Sequence, residues 1–220
     1  MGRVRCTQEG GGPRQSDRGA VHARHESRGP RRRAVSRKPP SGTVVEGVDF
    51  DRWSVILCKP DAVHRGQVDA VLERISAAGF TVTGRRDIRA QAWQAHVHYW
   101  DLLVDADHYT SRDIPACLDA LYAGQPVVVA LAYGEPDCHG RLRDLLGHFD
   151  PTVAASGTIR GDLGDDSLEN AMAEERLVNN LVHTSDDVAA ARRDFGTWFG
   201  ANRRALLTSP VPAQSTPSNA

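Results

Sequence analysis

Apolar runs of strand length alternate along this chain with segments of helical period, and the order in which they come admits few folds. Residues 53–58, WSVILC, lie between Arg52 and Lys59 and predict a short buried strand. Val68, Val71, Leu72 and Ile75 fall at i, i+3, i+4 and i+7, and the pattern closes at Gly79, which predicts a helix. Phe80, Val82 and Gly84 alternate with polar neighbours in a second strand. Residues 91–103 read as helical with Trp93 and Trp100, and residues 113–123 as a short helix ended by Gly124. Pro126 opens the most apolar strand, 127–133, and a helix over 137–146 stops at Gly147. Pro, Gly, Ser, Thr and Asp dominate residues 149–165, which predicts a long loop. A helix over 167–178 and a short strand over 181–183 follow. Val188, Ala191, Phe195, Trp198 and Phe199 mark an amphipathic last helix, with Thr184, Ser185, Asp186 and Asp187 at its N-terminus.

With the extra helices treated as insertions, the order reduces to β-α-β-β-α-β. That is the ferredoxin-like plan of the α+β class, a four-stranded antiparallel sheet with helices on one face. Composition then divides the chain into a folded body over residues 46–201 and two disordered ends. Residues 1–45 are Gly, Pro, Arg and Ser with hardly a branched aliphatic and cannot bury enough surface to offset their ordering entropy. Residues 202–220 are rich in Pro, Ser, Thr and Ala.

The net charge of −1 conceals an asymmetry. Residues 1–40 hold eleven Arg and Lys against three Asp and Glu, or +8, so the rest of the chain carries −9. An acidic body excludes a protein whose bulk binds polyanions. The run Arg31, Arg32, Arg33, Arg37, Lys38 reads as a solvated tail, as a holder of nucleic acid or an acidic partner, or as an organelle-targeting segment, although its Gly and Pro oppose the helix that targeting needs. No apolar run approaches the ~20 residues of a membrane span. The four cysteines, Cys6, Cys58, Cys117 and Cys138, are far apart with no Cys-x-x-Cys, the pattern of reduced thiols rather than of a zinc site or disulfide framework. A soluble cytoplasmic protein is the expectation.

Neither a P-loop nor G-x-G-x-x-G is present, so phosphate chemistry here needs other means. Of 27 basic residues only Lys38 and Lys59 are lysines. Lys59 directly follows the first strand, where a compact ammonium meets phosphate or hydroxyl oxygens as a point charge. Downstream, Gly157-Thr158-Ile159-Arg160-Gly161-Asp162 sets an arginine between glycines that let backbone approach a polyphosphate. His183 then ends a strand just ahead of a helix N-terminus, where amides and dipole favour an anion beside the ring. One imidazole nitrogen can attack phosphorus when the other is held. Taken singly, each is also an ordinary structural residue. His22, His25, His64, His96, His98, His108, His139 and His148 receive no role.

Together these segments resemble the nucleoside diphosphate kinase family. Lys59-Pro60-Asp61-Ala62-Val63 with Arg65-Gly66, then Gly79-Phe80, Gly124-x-Pro126-Val127-Val128, Gly157 to Asp162, and Asn180-x-x-His183-x-Ser185-Asp186 stand in the family's order and span about residues 54–199. The resemblance implies a ferredoxin-like core, homo-hexamers or tetramers, and Mg²⁺-dependent movement of a γ-phosphate from a nucleoside triphosphate to a diphosphate through a phosphohistidine. It implies His183 as nucleophile, Lys59 at the ribose 3′-hydroxyl and transferred phosphate, and Asn180 at the ribose. Arg143 and Arg160 become phosphate clamps, Tyr99 stands beside the histidine, and Ser185 is the serine two residues after it.

Three positions depart from the family pattern. Ile114 replaces the phenylalanine that stacks on the base, Phe149 a threonine that donates to phosphate, and Asp194 the glutamate that orients the histidine. The stretch from Asp162 to His183 is also longer than in the commonest members. The resemblance therefore leaves two functions in view, an active kinase and a catalytically weak or inactive nucleotide-binding or interaction module. Nucleic acid binding would rest on the Arg-rich arm alone.

Overall fold

The structure, a computed structural model, describes residues 42–104 and 112–210. Most of both composition-defined tails, including the arginine run, lies outside the described residues. At the N-terminal side, β1 (Val44–Val45) and β2 (Val48–Asp49) pair as a hairpin. Its two-residue turn, Glu46-Gly47, has φ of 50° and 82°, the left-handed pair that matches strand twist.

The body continues through β3 (Trp53–Cys58), α1 (Pro60–His64), α2 (Val68–Ala77), β4 (Thr81–Arg89), α3 (Ala92–His98), α4 (Trp100–Val104) and α5 (Ile114–Tyr122). β5 (Pro126–Tyr133), α6 (Cys138–Leu146), α7 (Ile159–Leu163), α8 (Leu168–Ala173), β6 (Val182–Thr184) and α9 (Val188–Trp198) follow, with a last 3₁₀ turn at Ala201–Leu207. The sheet order is β4-β5-β3-β6 with every pairing antiparallel, which is the ferredoxin-like arrangement.

Helices on one face is corrected by this packing. Val55, Leu57, Val127, Val129 and Leu131 face α3, α5 and α9, whereas Ile56, Cys58, Val128, Ala130 and Ala132 face α1, α2 and α6. The physical sign was in the strands themselves. All six residues of β3 are buried and five of them are apolar, so the strand has no wet face.

Three boundaries differ as well. The helix expected over 91–103 breaks at Tyr99, and the expected loop 149–165 contains α7, whose N-terminus is capped by Thr158 accepting from the Gly161 N–H (3.1 Å). The helix expected over 167–178 is only α8, ended where Glu175 takes φ of 54°. The folded body also reaches further than 46–201. Thr43 and Leu207, both outside that range, are buried, so the hairpin and the 3₁₀ turn belong to it.

Candidate active site

His183 sits on β6 directly opposite Leu57 of β3 and therefore points to the face that carries α3 and α9. The His98 ring meets it edge-on at 4.7 Å between centroids, and the Tyr99 ring lies at 5.2 Å. Its side chain is 22% exposed and lines a cleft of about 890 Å³. Among the described residues neither ring nitrogen makes a hydrogen bond; the nearest charged oxygen is Asp186 Oδ2, 3.9 Å from Nε2. Burial, with His98, Arg160 and Lys59 nearby, holds the imidazole well below its ordinary pKa, so the ring is neutral and its lone pair free at neutral pH.

The cations converge on the same cleft. Lys59 follows β3 as the N-cap of α1 and is buried. Its Nζ donates to the Val178 carbonyl (2.8 Å) and to Asn180 Oδ1 (3.0 Å). Burial lowers its pKa to about 8, against the opposing pull of Asp61. Arg160 on α7, also buried, donates to three carbonyls, those of Gly147 (2.9 Å), Val182 (2.7 Å) and Asn180 (3.3 Å). Arg143, near the end of α6, is exposed and holds the carbonyl and carboxylate of Asp186 at 2.9 and 3.0 Å. Leu181, next to the strand that carries His183, has φ of 68° and is held there from both sides: its N–H donates to Asp61 (2.8 Å) and its carbonyl accepts from the Lys59 N–H (2.8 Å). A non-glycine residue in that region costs about 1–3 kcal/mol and persists only where its surroundings impose it.

Of the ten residues singled out from sequence, His183, Lys59, Tyr99, Arg143, Phe149, Arg160 and Asn180 line the cleft. Phe149 is half exposed, stacks against His148, and presents its carbonyl to Asn180 Nδ2 (2.7 Å). Ile114 is a correction. It is 3% exposed and packs in the core beside Leu118 and Tyr122. The apolar cleft wall comes instead from Leu102, Leu121 and Leu177.

Among the described residues Asp194 and Ser185 make no hydrogen bond to His183 and bond to each other instead. Asp194 is fully buried in α9, its Oδ2 accepts the Ser185 hydroxyl (2.8 Å), and its Oδ1 lies 3.0 Å from His98 Nδ1. The Trp198 indole N–H points at that same nitrogen (3.2 Å), and a neutral ring nitrogen serves only one of the two. Ser185 Oγ in turn accepts from the Val55 N–H (3.2 Å). Influence on His183 passes through the packed His98 ring. Tyr99 is committed to Tyr122, hydroxyl to hydroxyl at 2.6 Å, and burial raises its pKa, so it stays a neutral phenol.

The family profile described as Nucleoside diphosphate kinase matches residues 53–203 of this chain. The chain belongs to the nucleoside diphosphate kinase family. Among curated members, those of a Nocardioides species and of Rhodococcus erythropolis are each 36% identical, over 146 and 149 residues; these cover 66% and 67% of this chain and 95% and 94% of the relatives. Among solved structures, a transition-state mimic of the Borrelia burgdorferi enzyme with bound vanadate and ADP superposes with a TM-score of 0.65 at 25% identity, covering 73% of this chain and 93% of that one. The Pyrobaculum aerophilum NDP kinase gives 0.60 at 28%, covering 72% and 99%. This nucleoside diphosphate kinase is thus a phosphotransferase acting between nucleotides, and the inactive binding module is not favoured.

Sequence reasoning missed three contributors in this kinase. His98 was set aside, although it directly precedes Tyr99 and so shares the helix end that meets His183. Asp186 and Arg112 also line the cleft. Asp186 lay within the quoted motif, whereas Arg112 follows a stretch outside the described residues and carried no sequence signal.

Proposed function

We propose that His183 carries the phosphate in a ping-pong transfer from a nucleoside triphosphate, typically ATP, to a nucleoside diphosphate. The observation that carries this reading is a neutral histidine with unbonded nitrogens in a cleft shared with Lys59, Arg143 and Arg160. In the first half-reaction a ring nitrogen lone pair forms an N–P bond with the γ-phosphorus as the bond to the β-phosphate oxygen breaks, and the diphosphate leaves with that electron pair. In the second, a β-phosphate oxygen of the acceptor takes the phosphoryl group and returns the lone pair to the ring. Such a transfer asks the protein chiefly for positioning and charge stabilisation. Vanadate and ADP together in the related Borrelia structure support the same chemistry here.

Lys59 meets the phosphate being transferred and Asn180 the ribose, while Arg160 and Arg143 take the phosphate oxygens. For Arg143 that means exchanging the Asp186 carboxylate for phosphate. Leu102, Leu121, Leu177 and the Phe149 ring offer an apolar slot for a base. A Mg²⁺ ion would be carried mainly by the substrate phosphates, with Asp101, Asp144 and Asp186 the cleft carboxylates that could meet its waters. Mg²⁺ held there would offset the charge of the phosphates during transfer.

The outer edge of β4, unpaired among the described residues, supports assembly of identical subunits into a tetramer or hexamer, to be read by sedimentation. A cytoplasmic setting agrees with the free thiols of Cys58, Cys117 and Cys138 and with the absence, among the described residues, of a helix long and apolar enough to cross a membrane. The deciding experiment incubates the protein with γ-labelled ATP and Mg²⁺. Acid-labile, base-stable label should appear on the protein and pass to an added diphosphate, and His183→Ala should abolish both steps while the far-UV spectrum is kept. Undiminished turnover in that variant overturns the mechanism.

A further inference from the structure

Both hydrogen-bond partners of the Lys59 ammonium come from one short stretch of chain, Val178 through its carbonyl and Asn180 through its side chain. That stretch, residues 174–181, lies between α8 and β6 and belongs to neither. It closes the segment that is longer here than in the commonest family members. With no helix or sheet ladder to hold it, its geometry must come from elsewhere.

The buried carboxylate of Asp166 supplies it. Asp166 accepts from both terminal nitrogens of Arg176, at 3.0 Å to Nη2, and from the backbone N–H of Asn179 at 2.8 Å. Arg176 also donates to the Leu177 carbonyl (3.2 Å) and to Glu174 (2.6 Å), and its own carbonyl accepts from Arg112 (2.7 Å). Leu177 and Asn179 are therefore tied to one carboxylate, the first through Arg176 and the second directly, and the Val178 carbonyl lies between them. An exposed ion pair would carry little weight. This pair is forked, the Asp166 side chain is 8% exposed, and the third bond goes to main chain rather than to another mobile side chain.

We propose that Asp166, together with Arg176, is a positioning residue for Lys59: the clasp fixes residues 176–180 so that the Val178 carbonyl and the Asn180 amide aim the ammonium into the cleft. The inference rests on the phosphoryl-transfer role proposed above for Lys59. Neither clasp residue touches the reacting atoms, and displacement of a charged group by a fraction of an ångström to an ångström can cost up to about a hundredfold in rate.

The test is a double-mutant cycle read by single-turnover formation of phosphohistidine from γ-labelled ATP, on the full chain, with thermal midpoints measured in parallel. Asp166→Asn keeps the shape and loses the charge and one acceptor. It should slow phosphohistidine formation roughly ten- to a hundredfold and change the nucleotide KM far less. In a Lys59→Met background the same substitution should change the residual rate less than about twofold, because the group it positions is gone. Arg176→Lys, which keeps the charge and loses the fork, should behave alike and serves if Asp166→Asn does not fold. A full-sized loss in both backgrounds shows a general structural role and overturns the proposal, as does a wild-type rate in either clasp variant. If Lys59→Met itself leaves the rate unchanged, the role of Lys59 fails first. If Lys59→Met is severe and the clasp variants are silent, only the clasp proposal fails.

Discussion

A lysine whose pKa falls from 10.5 to about 8 should leave its mark on the alkaline side of the pH–rate profile. Lys59 must be charged to meet phosphate, and burial works against that charge, with Asp61 and Asp166 opposing and Arg160 and Arg176 reinforcing the effect. At one pH unit above the pKa only about a tenth of the enzyme keeps the ammonium, so kcat/KM for the triphosphate should fall close to tenfold per unit beyond pH 9. An ordinary lysine would show no such fall until two units higher. Bound nucleotide brings anionic oxygens to the ammonium and raises its pKa, so kcat should hold to a higher pH than kcat/KM. His183 moves the acid limb the other way. Its pKa is depressed, chiefly by burial, so the free lone pair survives below pH 6.5. The assay is initial rate against triphosphate concentration from pH 5.5 to 10 at constant ionic strength, for wild type and Lys59→Arg. Arginine stays protonated throughout, so that variant should be slower at pH 7 yet flat to pH 10. An alkaline limb near pH 8 that persists unchanged in Lys59→Arg belongs to another group and refutes the reasoning.

Ile114→Phe should leave the nucleotide KM within about twofold and lower unfolding free energy by about 1–3 kcal/mol in urea titrations, since the position is core and the larger ring overfills it. Asp194→Glu adds a methylene at a fully buried site already bonded to Ser185 and beside His98. It should likewise lose about 1–3 kcal/mol of stability, and single-turnover phosphohistidine formation should slow as the His98 ring shifts; a faster step would show that glutamate reaches His183 where aspartate does not. Removing residues 1–41 should keep turnover within a few-fold, whereas removal through residue 51 takes away Phe50, worth about 3–5 kcal/mol by analogy with large core truncations, and with it the carbonyl that meets His139 Nε2 at 2.9 Å.

Much of this protein was open to reading because its periods are clean. The runs of β3 and β5 and the spaced aliphatics of α2 and α9 each agree with the element they form. What failed was decided by contacts across distance. Counting back from Gly124 places Ile114 at a family position, but the packing of α5 against α3 turns it inward and leaves the wall to Leu102 and Leu121. Asp194 stands where the resemblance puts a histidine-orienting glutamate; the fold shows it bonded to Ser185 and also beside His98, whose ring meets His183. The helix also breaks at Tyr99, whose phenol is anchored on Tyr122 by a long-range bond absent from any local pattern.

His183 owes its place to parity. On a strand of three residues, His183 faces the cleft because it stands opposite Leu57 and not Ile56 or Cys58. A slip of one residue would turn the imidazole into the aliphatic layer of α2 and α6 and leave the molecule compact and nearly native in secondary structure. The bonds from Ser185 N to Val55 O (3.1 Å) and from Arg160 to Val182 O (2.7 Å) count the residues of β6 from either end. In this fold specific activity is therefore also a proofreading signal: a preparation with β6 slipped by one residue would look folded by circular dichroism yet be silent toward phosphate.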